Sequence, residues 1–166
     1  EDRLMFKRIL IANRGEIAQR VIRACREIGV ETVAVYSKAD EGALYLRQAD
    51  ERICIGPGES AKSYLHIPSI IAAAEIANVE AIHPGYGFLA ENADFAEACV
   101  DAGLVFVGPT AETLRALGDK QAGLELARSL DVPTATSSGL LTETTQLRAF
   151  IETAGTVMLK AVAGGG

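Results

Sequence analysis

Lys160 lies in the apolar run of residues 157–161 and is followed shortly by three consecutive glycines, Gly164, Gly165 and Gly166. That combination suits phosphate, because an ammonium group meets the charge and backbone N–H groups without neighbouring Cβ atoms can form an anion nest. The same composition fits a flexible tail equally well. A second chemistry-bearing stretch is His83-Pro84-Gly85-Tyr86-Gly87-Phe88-Leu89-Ala90-Glu91-Asn92, where an apolar run ends and a helix is about to begin. Gly85 and Gly87 permit positive φ and close approach, Pro84 fixes its own φ, and Asn92 is a good N-cap for a helix carrying Phe95, Ala96, Cys99 and Val100. In an open α/β sheet ligands sit at such strand-to-helix corners, although Tyr86 and Phe88 also suit a roof over the core.

The elements that must hold these residues are legible from periodicity. Apolar runs at 9–12 and 32–36 read as buried strands, further strand signals follow at 52–55, 79–82 and 104–107, and helical patterns lie between most of them. The order predicts an α/β fold with an open, mostly parallel sheet. In the first helix Ile17, Val21, Ala24, Cys25 and Ile28 share a 3.6-residue face, with Arg20, Arg23 and Arg26 elsewhere and Gly29 as the stop. Residues 37–50 read as a loop with a short helix near 44–49. Pro68 opens a helix with Ile70, Ile71, Ala74 and Ala77 as its stripe, and Thr110 is a fair N-cap with Thr113 three residues on. Beyond Gly118 the pattern changes. Asp119 can cap a helix containing Leu124, Ala127 and Leu130, residues 136–144 have linker character, and a helix at 145–153 with a strand at 157–161 begins another α/β unit.

Asn13-Arg14-Gly15-Glu16 follows the first strand, where a dinucleotide-binding protein carries three glycines. Only one glycine is present, and Glu16 sets a carboxylate where a pyrophosphate would sit. A nicotinamide-dependent oxidoreductase is therefore disfavoured, while Arg14 and Glu16 equally suit a solvated turn.

With 166 residues the chain can bury one sizeable core and the start of a second. It is 49% hydrophobic, yet its longest candidate, residues 67–77, is interrupted by Pro68, Ser69 and Glu75. That falls far short of the roughly 20 residues a membrane-spanning helix needs, so no membrane role is expected. A net charge of −6 without a basic stripe disfavours nucleic acid. Cys25, Cys54 and Cys99 are odd in number, show no Cys-x-x-Cys spacing, and read as small buried apolar residues of a reducing compartment, with no metal site or disulfide expected.

Taken together, the chain resembles the N-terminal part of biotin carboxylase, the ATP-dependent component of biotin-dependent acyl-CoA, pyruvate and urea carboxylases. The likeness rests on Ile11-Ala12-Asn13-Arg14-Gly15-Glu16-Ile17-Ala18, Ser63-Tyr64-Leu65-His66-Ile67-Pro68, the whole 83–92 corner, Phe106-Val107-Gly108-Pro109, Gly118-Asp119-Lys120 and Leu159-Lys160-Ala161 before the glycines. It covers residues 6–166. The resemblance implies a Rossmann-like pre-ATP-grasp domain at 1–118, followed at 119–166 by a linker helix and the incomplete start of an ATP-grasp lid. It implies a ligase that phosphorylates bicarbonate with MgATP and carboxylates N1′ of biotin carried on a separate domain.

By that resemblance Lys120 and Lys160 contact ATP, Gly164, Gly165 and Gly166 open the lid loop, and Tyr86, Gly87 and Glu91 line the biotin and bicarbonate rim. Arg20 and Arg23 match a homodimer interface, although a solvated helix face suits them too. The implied partners are a biotin carboxyl carrier domain and a carboxyltransferase, in the cytoplasm or alternatively the mitochondrial matrix. The general base and other catalytic residues, most of the metal-binding carboxylates and the biotin-binding arginine are implied beyond Gly166, so this stretch alone is expected not to complete catalysis. Two departures stand out: Gly155-Thr156-Val157 replaces an aromatic residue and proline, and the sequence ends before the further glycine and arginine of the glycine loop. The alternative is a non-catalytic nucleotide-binding or interaction module on the same fold.

Overall fold

The computed structural model describes residues 6–118 and 120–160. The chain divides into two compact units that part between Leu114 and Arg115, a few residues before the boundary expected at Gly118.

The first unit is an α/β layer structure. Strand β1 (Arg8–Ile11) leads through the Asn13 turn into helix α1 (Gly15–Glu27), and β2 (Glu31–Ser37) and β3 (Glu51–Gly56) follow. Helix α2 (Ile67–Ile76), strand β4 (Ala81–His83), helix α3 (Ala93–Asp101), strand β5 (Val105–Phe106) and the first half of helix α4 (Ala111–Gly118), within which the division falls, complete the series. The sheet order is β3-β2-β1-β4-β5 and every pairing is parallel. After β3 the chain returns to the other side of β1, which makes the β1–β4 gap the point where strand order reverses. Each strand signal read from the sequence in this unit corresponds to a strand, while the helix expected near 44–49 is a short 3-10 turn, Leu44–Arg47, preceded by a second at Lys38–Asp40.

Side chains alternate across the sheet, as the two-residue period requires. Leu10, Ala12, Val33, Val35 and Ile82 join Ile70, Ala74, Phe95, Cys99 and Phe106 beneath α2 and α3. Ile11 and Ala34 pack on the other face with Ala18, Ile22, Tyr45 and Leu46. Phe95 and Phe106 meet edge-to-face at 5.8 Å, the arrangement favoured by the ring quadrupoles.

Helix α1 corrects one expectation. It packs through Ala18, Ile22 and Cys25, and Ala24 and Ile28 are exposed. Two apolar stripes lie side by side on this helix, and the one bearing the small Ala18 is the one that settles on the strands. Val21 is partly buried against the core, as expected, and with Ile17, Ala24 and Ile28 it borders an apolar groove shared with Ile9, His83 and Val107.

The caps follow the sequence closely. Asn92 Oδ1 accepts the Phe95 N–H at 2.8 Å, and Thr110 Oγ1 accepts that of Thr113 at 3.2 Å. In α2 His66 Nδ1 fills the same role toward Ser69 at 3.3 Å, with Pro68 inside the first turn.

The second unit contains α5 (Lys120–Ser129) and α6 (Thr144–Ala154), joined by an irregular stretch over 132–142. Gln146 Oε1 reaches back to the Glu143 N–H at 3.2 Å and helps start α6. The strand expected at 157–161 is absent over 157–160. A strand needs a partner for its N–H and C=O groups, and among the described residues this unit has no other strand. Ala161, the expected cap Asp119 and the glycines at 164–166 lie outside the described residues.

Candidate functional site

The carboxyl ends of β1 and β4 lie side by side, with Ile11 paired to His83 and the Ala12 N–H donating to His83 O at 2.9 Å. Both strands therefore empty into the same place, and each continues into a loop. Such a reversal of strand order leaves a crevice between the loops that helices on either side do not close, which is where open α/β sheets take ligands.

Asn13 stitches the two loops together. Its Nδ2 donates to Pro84 O at 2.7 Å and to Tyr86 O at 2.8 Å, while its Oδ1 accepts the Arg14 N–H at 2.8 Å. All the hydrogen-bonding capacity of this amide that the site uses is spent on backbone, and the residue is only 3% exposed. Gly85, at φ +66, passes so close that a Cβ would lie 2.6 Å from Ile17 Cγ2. The glycine is therefore required both by its backbone angle and by space.

The Gly85 N–H donates to His83 Nδ1 at 3.0 Å. That bond leaves the proton of a neutral ring on Nε2, and burial lowers the His83 pKa, which favours the neutral form. Beyond Gly85 the chain comes out into solvent. Tyr86 is 66% exposed, and its hydroxyl donates to Glu16 Oε1 at 2.6 Å, which raises the phenol's pKa. Gly87 and Glu91 are also exposed. Tyr86, Gly87 and Glu91, the residues expected at a substrate rim, all lie on the loop after β4, and Tyr86 reaches the Asn13–Glu16 turn through Asn13 and Glu16.

Beneath the corner is a buried polar cluster that sequence reasoning missed. Asp40 accepts from Arg14 Nε at 2.9 Å and also from Arg14 Nη2, from Ser37 Oγ at 3.0 Å and from Tyr64 OH at 2.7 Å. Arg14, chiefly, with Tyr64 and Ser37, holds the Asp40 carboxyl below the usual carboxylate range despite burial. Tyr64 OH also accepts the Ser37 N–H at 3.0 Å and lies 3.3 Å from Tyr45 OH. Burial pushes both phenols up, so they remain neutral donors. Arg14 is therefore engaged in an ion pair and not simply solvated. A polar residue next to an apolar strand is the only sequence signal for this cluster, and it does not identify the partner.

The remaining expected residues are placed as follows. Arg20 and Arg23 are exposed on α1, Lys120 opens α5, and Lys160 is exposed at the end of the described chain. Among the described residues no three His, Cys, Asp or Glu side chains converge on a metal position, and no helix is long and apolar enough to cross a membrane.

Comparison with known proteins gives this corner a context. The family model described as biotin carboxylase, N-terminal domain, matches residues 5–114. Biotin carboxylase of Nostoc sp. is 53% identical over 98% of this chain, and human mitochondrial pyruvate carboxylase is 47% identical over 97%. The chain spans 37% of the length of the former and 14% of the latter. Among solved structures, the biotin carboxylase domain dimer of Hydrogenobacter thermophilus 2-oxoglutarate carboxylase, in complex with MgADP, ADP and bicarbonate, is 43% identical. It superposes with a TM-score of 0.91 over 99% of this chain and 36% of its own. Biotin carboxylase of Campylobacter jejuni, in a beta-gamma-ATP complex, gives 0.90 with 47% identity over 98% of this chain and 37% of its own. With more than half its length matched by the family model and this fold beneath it, the chain belongs to the biotin carboxylase family.

Proposed function

We propose that this chain is the N-terminal domain and the first part of the ATP-grasp region of an enzyme that carboxylates carrier-bound biotin, using MgATP and bicarbonate. Bicarbonate is a poor electrophile. Transfer of the ATP γ-phosphoryl group to one of its oxygens gives ADP and carboxyphosphate, whose phosphate can leave as biotin N1′ takes the carboxyl group. Such a site has to gather anions and neutralise charge as it develops.

The observation that carries this reading is the interlocked corner at the β1–β4 reversal, where Asn13 holds Pro84 and Tyr86 and leaves Tyr86, Gly87 and Glu91 facing solvent. In this reading those three residues form the biotin and bicarbonate rim. Lys120 and Lys160 contact the ATP phosphates or the edge of the nucleotide, and Gly164, Gly165 and Gly166 begin the glycine-rich lid loop. Arg20 and Arg23 on the exposed side of α1 belong to a homodimer contact, in keeping with the Hydrogenobacter domain being a dimer. Residues 1–118 act as the pre-ATP-grasp domain. A carrier domain and a carboxyltransferase are the partners, and the three free cysteines suit a reducing compartment such as the cytoplasm.

The test is ATP cleavage by the complete enzyme, compared with residues 1–166 alone. ADP release that requires bicarbonate and rises with free biotin is expected from the complete enzyme and not from the shorter chain. Nucleotide binding without turnover in the complete enzyme would overturn this reading and leave a non-catalytic module.

A further inference from the structure

The turn that follows Gly87 has a residue in an unfavourable place. Gly87 O accepts the Ala90 N–H at 2.8 Å, closing a four-residue turn whose first central residue is Phe88, at φ +41. Turns with positive φ at that position select glycine, asparagine or aspartate. The other described non-glycine residues with positive φ, Asn78 and Asp131, are of that short polar kind. Phe88 is the only bulky one among the described residues, and a bulky side chain there marks strain that the surroundings must hold in place.

Burial alone does not hold it, because Phe88 is 36% exposed. What it meets is the ring of Tyr64, stacked at 5.0 Å between centroids with the planes 20° apart. Tyr64 is a fixed platform. It is 2% exposed, its hydroxyl is held by Asp40, the Ser37 N–H and Tyr45, and the Arg14 guanidinium lies 5.9 Å from its ring centroid. The same Asp40 anchors Arg14, which follows the amide that clamps Tyr86 O. The loop after β1 and the loop after β4 are thus tied through one carboxylate as well as through Asn13.

We propose that Tyr64 is a positioning residue for the substrate rim: its ring keeps Phe88 in the left-handed turn and thereby sets the direction in which Tyr86 and Gly87 face biotin. This inference rests on the reading of that rim given above. Tyr64 acts through Phe88 and touches no substrate, so its effect belongs to biotin binding and not to the nucleotide.

The experiment uses the complete enzyme, with free biotin and then ATP as the varied substrate. Phe88→Asn and Phe88→Val both remove the stack, but asparagine tolerates the left-handed backbone and a β-branched residue does not. Phe88→Val is expected to raise KM for biotin about 10-fold with KM for ATP within about 2-fold, and Phe88→Asn to raise KM for biotin less than about 3-fold. Tyr64→Leu is expected to follow Phe88→Val, and Tyr64→Phe, which keeps the ring, to restore most of the affinity. Should Tyr64→Leu fail to fold, the exposed Phe88 pair still decides the matter. Equal effects of asparagine and valine at 88, or equal rises in KM for biotin and ATP, overturn the inference while the proposed activity stands. If the unaltered enzyme shows no biotin-dependent ATP cleavage, the activity reading falls and this inference falls with it.

Discussion

Asn13 and Gly85 interlock: a methyl group on Gly85 would lie 2.8 Å from Asn13 Nδ2, the atom that holds the carbonyls on either side of that glycine. The loop after β1 and the loop after β4 therefore cannot be varied independently. Closeness here comes from the parallel pairing of Ile11 with His83, which delivers both chain ends to one spot.

This closeness separates the two glycines of the corner. Gly85→Ala meets both a left-handed φ and a collision with Asn13 and Ile17, and is expected to cost about 2–4 kcal/mol from the two terms combined. Gly87 has a similar φ of +73 but nothing within 4 Å of an added Cβ. Gly87→Ala is therefore expected to cost only about 1–2 kcal/mol, the backbone term alone. Urea denaturation of the two variants checks the ranking, and equal midpoints would show that the contact with Asn13 does not matter.

Much of this architecture can be read from the chain itself, because buried parallel strands are continuous apolar runs and their stops are glycines and prolines. The corner at 83–92 is visible for the same reason, as is the Asn92 cap. What resists reading is tertiary. Tyr64 and Phe88 are 24 residues apart, and nothing local marks them as a stacked pair. Helix α1 carries two apolar stripes, and only the shape of the sheet chooses Ala18, Ile22 and Cys25 over Ile17, Ala24 and Ile28. Residues 157–160 have strand composition without strand structure, since hydrogen-bonding partners are a property of neighbours and not of the segment.

Asp40 makes the fold sensitive to acid. Its carboxyl is held below the reference value of 3.8 chiefly by Arg14, and also by Tyr64 and Ser37. A folded pKa below the unfolded one gives stability that is present above the unfolded value and lost as pH falls through the folded one. Unfolding free energy is therefore expected to decline as pH drops below about 4. Asp40→Asn should cost about 2 kcal/mol at neutral pH, discounted for the half-exposed Arg14, and should flatten this decline. Denaturation series at several pH values test both, and an unchanged acid slope in Asp40→Asn would assign the effect to other carboxylates such as Asp50, also lowered by its bonds to Thr32.

The three cysteines should differ sharply toward thiol reagents. Cys25 and Cys99 are buried as expected, but Cys54 is exposed on the edge strand β3, and burial pushes the Cys99 thiol up to about 12. Since the thiolate is the reactive form, one equivalent of reagent is expected to be consumed rapidly by native protein near pH 8, at Cys54. The other two should react only after denaturant is added. Peptide mapping by mass spectrometry identifies the site, and early labelling of Cys99 would contradict its place on the buried face of α3.

Asn13 offers a sharper test of the corner through charge than through deletion. Asn13→Ala leaves Pro84 O and Tyr86 O without their donor and is expected to cost about 1–3 kcal/mol. Asn13→Asp sets a carboxylate against the same two carbonyls in a place only 3% exposed, so its ionised form is disfavoured and its folded pKa should rise. A protonated carboxyl can still donate to one carbonyl, which an ionised one cannot. The group then binds more protons when folded, so its contribution falls as pH rises through the unfolded value of about 3.9 toward the folded pKa. Relative to the unaltered protein, Asn13→Asp should be near Asn13→Ala in mild acid and clearly worse at neutral pH. Thermal melts of the three proteins across that interval measure the crossover, and parallel pH profiles would mean that Asn13 does not face those carbonyls in solution.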